Sequence, residues 1–411
     1  MERAFELARL RLIAGGAAYR VPMRVLHTSD WHVGRTFHGR DLLAEQEAVL
    51  TGLAELVAAE RVDVVLMAGD LYDRAVPSGE AVQTCQRILL AIRNAGARLV
   101  VTSGNHDSAA RLGALGAFTA AGGLHLRTSV SELDSPVLLD DAHGTVALYG
   151  IPYLEPEVAR HALGVTERGH AAVLTEAMNR IRTDLASRAP GTRSVVLAHA
   201  FVTGAQHCAS ERTIAVGGVE QVPSSVFDGV DYVALGHLHG PQRIAEHLRY
   251  SGSPLAYSFS EANHHKSVWL VDLDADGLGE VRRHELPAPR RLAAVRGELE
   301  SLLTDPAHED LVDAYLSVEL TDAVRPTDPL RRLQERFPHA VHLDWRPPGG
   351  GPVGAGRYAE PGGGRSDAET ACCFVTDCRG SDPTDGEREL LTRALIEVAD
   401  PDERIRSESA A

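Results

Sequence analysis

Five apolar, β-rich runs in this chain each break off into a short polar cluster drawn from Asp, Asn and His. That pattern narrows its architecture more than any other feature. The first run, Arg24-Val25-Leu26-His27-Thr28, leads into Asp30-Trp31-His32, and the second, 62–67, into Gly69-Asp70-Leu71-Tyr72-Asp73. The third, 99–102, leads into Gly104-Asn105-His106-Asp107, the fourth, 195–198, into His199, and the fifth, 232–235, into Gly236-His237-Leu238-His239. Between the early runs, 41–60 and 82–94 repeat Leu, Val and Ile at helical spacing. Strand-helix-strand order of this kind predicts an α/β core whose sheets are covered by helices. Such folds place their sites beyond the carboxyl ends of strands, so the five clusters are expected to meet.

Asp, Asn and His without Cys form the donor set of a hard or borderline divalent cation. The seven donor residues Asp30, His32, Asp70, Asn105, His199, His237 and His239 are too many for one ion that keeps a position open for substrate. Two ions about 3.5–4 Å apart, sharing one carboxylate, suit that number. Such a pair lowers the pKa of water and neutralises phosphoryl oxygens, which points to phosphoester hydrolysis. The glycines before Asp70, Asn105 and His237 are expected to let the backbone turn sharply. A lone His125, His143 or His161 is read as an ordinary surface or core residue, since only the constellation carries a signal. Arg35, Arg40 and Arg111 follow the loops closely and suit phosphate contacts as readily as a solvated loop.

The 411 residues carry a formal net charge of -16, from 57 acidic and 41 basic side chains. A free-standing nucleic-acid binder is normally cationic, so metals or a partner protein would have to reverse the local sign. Lys266 is the only lysine, and the excess of Arg is read mainly as base composition. Cys85, Cys208, Cys372, Cys373 and Cys378 form no regular framework and are read as free thiols in a reduced cytoplasmic setting. No run of about eighteen apolar residues is present to span a membrane.

Residues 1–22 are expected to be a disordered extension or a misassigned start, and 23–286 the α/β domain. Residues 287–346 read as a small α/β module, with a strand at 311–320, a helix at 329–337 and a strand at 340–343. A Gly/Pro-rich linker is expected over 347–373. In 374–411, Leu390, Leu391, Leu395 and Val398 form the apolar stripe of a helix at 387–399 with no cover in its own neighbourhood.

The order Asp-x-His, Gly-Asp, Gly-Asn-His-Asp, a strand-end His and Gly-His-x-His resembles the calcineurin-like metallophosphoesterase superfamily. The resemblance implies a β-sandwich flanked by helices and a di-manganese or similar two-metal site. It implies that Asp30, His32 and His239 hold the first metal, that Asn105, His199 and His237 hold the second, and that Asp70 bridges them. It implies that His106 stabilises the transition state or protonates the leaving oxygen and that Asp107 orients it. The stretch from Met23 to Arg40, together with Ser210-Glu211-Arg212, Val216-Gly217-Gly218 and Arg249-Tyr250-Ser251-Gly252-Ser253-Pro254, is similar to the SbcD-type subgroup. That likeness extends the implications to a DNA exonuclease and endonuclease working with an SbcC-type ATPase of the SMC family, as a homodimer within a heterotetramer. Residues 287–346 would then cap DNA, and 374–411 would dock on the ATPase. Two departures stand out: some relatives carry His where Asp73 stands, and the Gly-rich insert is long. A cyclic-nucleotide or small-molecule phosphodiesterase would have no use for the added modules, and an inactive scaffold would be expected to have lost ligands.

Overall fold

The computed structural model describes residues 22–206, 208, 210–211, 221–348, 366–379 and 381–399. The extension expected at 1–22 (Pro22 apart), the motif Val216-Gly217-Gly218, Arg212 and most of the Gly/Pro-rich stretch lie outside the described residues. The chain divides into two units, Met1–Pro289 and Arg290–Ala411.

In the first unit the strands are β1 (Met23–Thr28), β2 (Thr36–Phe37), β3 (Arg40–Asp41), β4 (Val64–Ala68), β5 (Arg98–Thr102), β6 (Leu124–Arg127) and β7 (Val137–Asp141). They continue with β8 (Gly144–Gly150), β9 (Arg193–His199), β10 (Tyr232–Gly236), β11 (Gln242–Arg243), β12 (Leu248–Tyr250), β13 (Ser267–Asp274) and β14 (Gly277–Glu285). Two six-stranded sheets result, in the orders β14-β13-β1-β4-β5-β6 and β11-β12-β10-β9-β8-β7. The strands β1, β4, β5 and β6 of the first sheet run parallel, as do β8, β9, β10 and β12 of the second.

Alternation along each strand explains the layering. Val25, Val64, Leu66, Val100, Val195, Leu197, Tyr232 and Ala234 point into one core shared by the two sheets. Their neighbours Leu26, Val65, Met67, Leu99 and Val101 point the other way, onto helices Leu43–Glu60 and Gly79–Asn94. On the second sheet, Ala147, Tyr149, Val196, Ala198, Val233 and Leu235 face helices Pro156–Leu163 and His170–Ala186. The inner strands β1, β4, β5, β9 and β10 are thus buried on both faces, which is why they read as unbroken apolar runs rather than as alternating ones. The result is the expected β-sandwich flanked by helices. Truncating a fully buried side chain such as Leu50 or Leu53 to Ala should cost about 2–5 kcal/mol.

Helix ends differ from the expected ones for local reasons. The helix expected from 41 starts at Leu43, because Arg40 and Asp41 pair with Thr36 and Phe37 and the Asp41 carboxylate accepts the Leu43 N–H at 2.8 Å. The helix expected from 82 starts at Gly79, since the Ser78 hydroxyl caps it by accepting from Ala81 N–H at 3.1 Å.

The second unit contains a three-stranded parallel sheet, β15 (Leu292–Gly297), β16 (Tyr315–Leu320) and β17 (Ala340–Trp345). Leu299, Leu302, Leu316, Val318, Leu333 and Phe337 form its core. The strand expected from 311 begins at Tyr315, because 306–311 close into a 3-10 turn capped by Asp305, which accepts from Ala307 N–H at 2.8 Å. Part of the stretch expected as linker over 347–373 is helical: a helix spans Asp367–Arg379, followed by another at Asp385–Ala399. Both start on a capping box that the apolar pattern did not reveal. Ser366 N–H donates to the Glu369 carboxylate at 2.7 Å and Glu369 N–H returns to the Ser366 hydroxyl at 3.3 Å; Thr384 and Glu387 repeat the exchange at 2.7 and 3.4 Å. No described helix is long and apolar enough to cross a membrane.

Candidate metal centre

The loops that leave β1 and β4 are stitched to each other by main chain. Asp30 N–H donates to Gly69 O, His32 N–H to Asp70 O and Val33 N–H to Leu71 O, each at 3.0 Å. This pairing holds Asp30, His32 and Asp70 in left-handed backbone, with φ of 53°, 46° and 56°, and His237 joins them at 102°. Non-glycine residues rarely adopt such angles, and each costs on the order of 1–3 kcal/mol. The glycines serve two purposes rather than the single one expected. Gly69 makes the expected turn, at φ 84°. Gly104 and Gly236 have no positive φ; instead a Cβ there would lie 2.1 Å from Asp70 Oδ1 and 1.8 Å from Ala68 O, respectively. They are required by close approach.

All seven expected donor residues come together. His32 Nε2 lies 3.2 Å from His239 Nε2 and 3.6 Å from Asp70 Oδ2. His199 Nε2 lies 2.8 Å from Asn105 Oδ1 and 3.4 Å from the same Asp70 oxygen. Asp70 Oδ2 therefore stands between two sets of nitrogen and oxygen donors. Asp30 accepts from Ser29 Oγ at 2.5 Å and from His237 N–H at 3.0 and 3.1 Å. The His237 ring centroid sits 5.3 Å from that of His199. The donor atoms of Asp30, His32 and His239 lie within 4.8 Å of one another, as do those of Asp30, Asp70 and His199.

The donor set fits divalent cations on its own chemistry. Two buried imidazole nitrogens lie 3.2 Å apart with Asp70 Oδ2 3.6 Å from one of them, a grouping of donor atoms suited to a cation, and His32 Nδ1 has no hydrogen-bond partner. His239 Nδ1 is placed to donate to Ser210 Oγ at 2.8 Å, which leaves its Nε2 as a bare lone pair toward the site. Protonation is also pulled from ordinary values. Burial pushes Asp30 up to about 6 and His32 and His237 far down. Burial disfavours charged His199 too, but the Asp70 and Asp30 carboxylates outweigh it and hold the ring at about 9. Carboxylates and imidazoles crowded in one dry pocket are the environment that bound cations relieve.

Two expectations need correction. Asp107 does not orient His106: its carboxylate accepts from Leu71 N–H at 3.0 Å, Tyr72 N–H at 2.9 Å and Gly104 N–H at 3.0 Å, so it staples two site loops. His106 Nδ1 lies instead 2.8 Å from Asp73 O, and its N–H donates to Asp70 Oδ1 at 2.8 Å. Arg35 is turned inward, donating to Ser210 O at 2.9 Å, lying 3.6 Å from Asp73 and stacking over Tyr257 at 5.0 Å. Arg40 and Arg111 remain exposed. Lys266, the single lysine, is buried and ion-paired with Glu261 beneath His239.

Sequence reasoning missed a supporting layer. Gln46 donates to Trp31 O at 3.1 Å and His32 O at 2.8 Å, and accepts from Gly34 N–H at 2.9 Å, so one helix side chain holds the whole first loop. Its only signal was a polar residue on an otherwise apolar helix face. Glu261 and Tyr257 gave no signal, since neither lies in a periodic element.

Residues 23–241, more than half of the chain, match the calcineurin-like phosphoesterase family model. The chain belongs to the calcineurin-like phosphoesterase family. Its four-layer sandwich and its pocket of Asp, Asn and His are those of a metal-dependent phosphoester hydrolase. Residues 288–360 of this phosphoesterase match the SbcD C-terminal domain model, described as the type 5 capsule protein repressor C-terminal domain. Among solved structures, the phosphoesterase is similar to the Thermus thermophilus protein TT1561 at 14% identity and a TM-score of 0.38, covering 64% of this chain and 99% of that one. A dimetal phosphatase from Danio rerio shows 15% identity and a TM-score of 0.36, covering 65% of this chain and 99% of that one.

Proposed function

We propose that this phosphoesterase is the nuclease subunit of an SbcCD-type complex, hydrolysing DNA phosphodiesters with two bound divalent cations, Mn²⁺ in this reading. The observation that carries the proposal is the succession of the two matches, a phosphoesterase domain at 23–241 and, later in the chain, an SbcD-type C-terminal domain at 288–360. Asp30, His32 and His239 would hold one cation, Asn105, His199 and His237 the other, and Asp70 would serve both. When bound, the pair activates water and neutralises the phosphoryl oxygens. His106 then has a defined task. With Nδ1–H directed at Asp73 O, its Nε2 is the atom left to hold a proton for the departing sugar oxygen.

The net charge of -16 supports a partner-dependent enzyme, since an acidic chain attracts DNA poorly by itself. An SbcC-type ATPase would supply cationic surface, residues 287–346 would cap DNA, and the last two helices would dock on the ATPase within a heterotetramer built on a homodimer. A reduced cytoplasmic setting belongs to the same reading. Arg40 and Arg111 remain candidates for phosphate contact, and Arg35 is better placed to support the loop.

The test is cleavage of a labelled hairpin DNA, with and without the ATPase, in Mn²⁺ and in Mg²⁺. Metal-dependent cutting that the ATPase stimulates is expected. Intact DNA alongside rapid hydrolysis of a small phosphodiester would overturn the nuclease reading in favour of a small-molecule enzyme.

A further inference from the structure

All but one of the 41 basic side chains are arginine, and the exception, Lys266, is 6% exposed. Its ammonium has three N–H donors and meets three acceptors: His239 O at 2.9 Å, Ser253 Oγ at 2.9 Å and the Glu261 carboxylate. A tetrahedral ammonium fills that set completely. A planar guanidinium brings five N–H donors in a fixed fork, two more than this pocket can satisfy. Glu261, 1% exposed, is equally occupied. Its Oε2 takes the Lys266 ammonium, while its Oε1 accepts from the Ser210 hydroxyl and from Tyr257 N–H at 3.2 Å and lies 3.4 Å from His239 Nδ1.

Donor and acceptor roles along this chain follow from its one end that cannot change. Lys266 can only donate, so Glu261 accepts. Ser210 gives its one hydroxyl proton to Glu261, so its oxygen is free to accept from His239 Nδ1–H at 2.8 Å. His239 then carries its proton on Nδ1 and presents a bare Nε2 to the pocket. The same ammonium also grips the carbonyl of His239, so ring and main chain are held from one point.

We infer that Lys266 is a positioning residue: through Glu261 and Ser210 it sets the tautomer and aim of His239, and so governs one of the two cation sites and not the other. The inference rests on the two-cation reading above. Removing a partner behind a ligating imidazole typically weakens metal affinity 10–100-fold. Here the loss should be confined to the site that contains His239. His199, on the opposite side of Asp70, is oriented independently by Ala68 O at 3.1 Å.

The experiment is titration of the metal-stripped full chain with Mn²⁺, following free Mn²⁺ by its electron paramagnetic resonance signal, for wild type, Lys266→Met, Lys266→Arg and Glu261→Gln. Two sites are expected in wild type. In each variant one should retain its affinity and the other weaken by roughly 10–100-fold, with Lys266→Arg no better than Lys266→Met. Unchanged affinities at both sites would overturn the inference, as would equal weakening of both, which marks a general structural role. If Lys266→Met fails to fold, the isosteric Glu261→Gln decides on the same criteria. A wild-type chain that binds no Mn²⁺ would overturn the two-cation reading itself, an outcome that the wild-type titration alone reveals.

Discussion

His106 Nδ1 stands 2.8 Å from the main-chain carbonyl oxygen of Asp73, so this ring is oriented by backbone rather than by its neighbour Asp107. Its other nitrogen lies 4.0 Å from Asp70 Oδ2, next to the donor cluster yet outside its shortest contacts. His106→Ala should therefore keep both cations while turnover falls by roughly 10²–10⁴, the loss typical of a general acid. Elemental analysis paired with the hairpin assay checks it; normal turnover would remove His106 from the chemistry.

Asp70→Ala should behave differently. One carboxylate oxygen lies within reach of His32, His199 and His106 at 3.6, 3.4 and 4.0 Å, and burial is outweighed by these imidazoles, which keep Asp70 well below the usual carboxylate range. Metal content and activity should be lost together. Two ions still present by elemental analysis would contradict a shared role.

Asp107→Asn tests the staple. The carboxylate receives three main-chain N–H groups, and an amide can accept at only one end, leaving at least one buried donor unmet. Stability should fall by about 1–3 kcal/mol, seen as a lower denaturant midpoint. An unchanged midpoint would show that the loops hold without it.

A pH dependence follows from His27, which is fully buried between the sheets with Nδ1 2.9 Å from Tyr232 Oη and Nε2 3.1 Å from Leu235 O. Burial pushes the ring down to about 3. Between its unfolded value, about 6.5, and about 3, the unfolded chain takes up a proton that the folded chain refuses. Stability from this group is therefore complete above that window and declines as pH falls through it. His27→Gln should show a shallower decline between pH 6.5 and 4 in chelator-treated samples. Parallel curves for variant and wild type would rule His27 out as the source.

Deleting the residues after Pro361 should abolish co-purification with an SbcC-type ATPase while leaving phosphoesterase activity on a small substrate in place. A complex that survives the deletion would place the docking surface elsewhere.

The sequence was most legible where one physical rule acted alone. Strands such as Val64–Ala68 and Tyr232–Gly236 are buried on both faces, so they stood out, and the donors at their carboxyl ends could be placed by topology. Strands Gly277–Glu285 and Leu124–Arg127, with no fully apolar run, and helix His170–Ala186, whose apolar positions are interrupted by Thr, Asn and Arg, were not read. That these Asp, Asn and His side chains would meet was likewise legible, because metal chemistry restricts residue type. Which atom hydrogen-bonds to which was not: Asp107 sits beside His106 in sequence, yet the turn at 104–107 points its carboxylate back at three amides. The Lys266 network joins residues 210, 239, 253, 261 and 266, whose meeting depends on loop paths that no periodicity encodes.

Four of the residues gathered in this pocket sit in a backbone basin that they would desert in a free peptide, and only the surrounding sandwich keeps them there. The interior of the protein thus works as a clamp, and the accuracy of the pocket is limited by how firmly the clamp is closed. A methyl group removed from Val25 or Val64, both out of reach of any phosphate, should loosen the grip on cations before the protein as a whole comes apart. Heat or mild denaturant would then silence the enzyme while its secondary structure still looks intact.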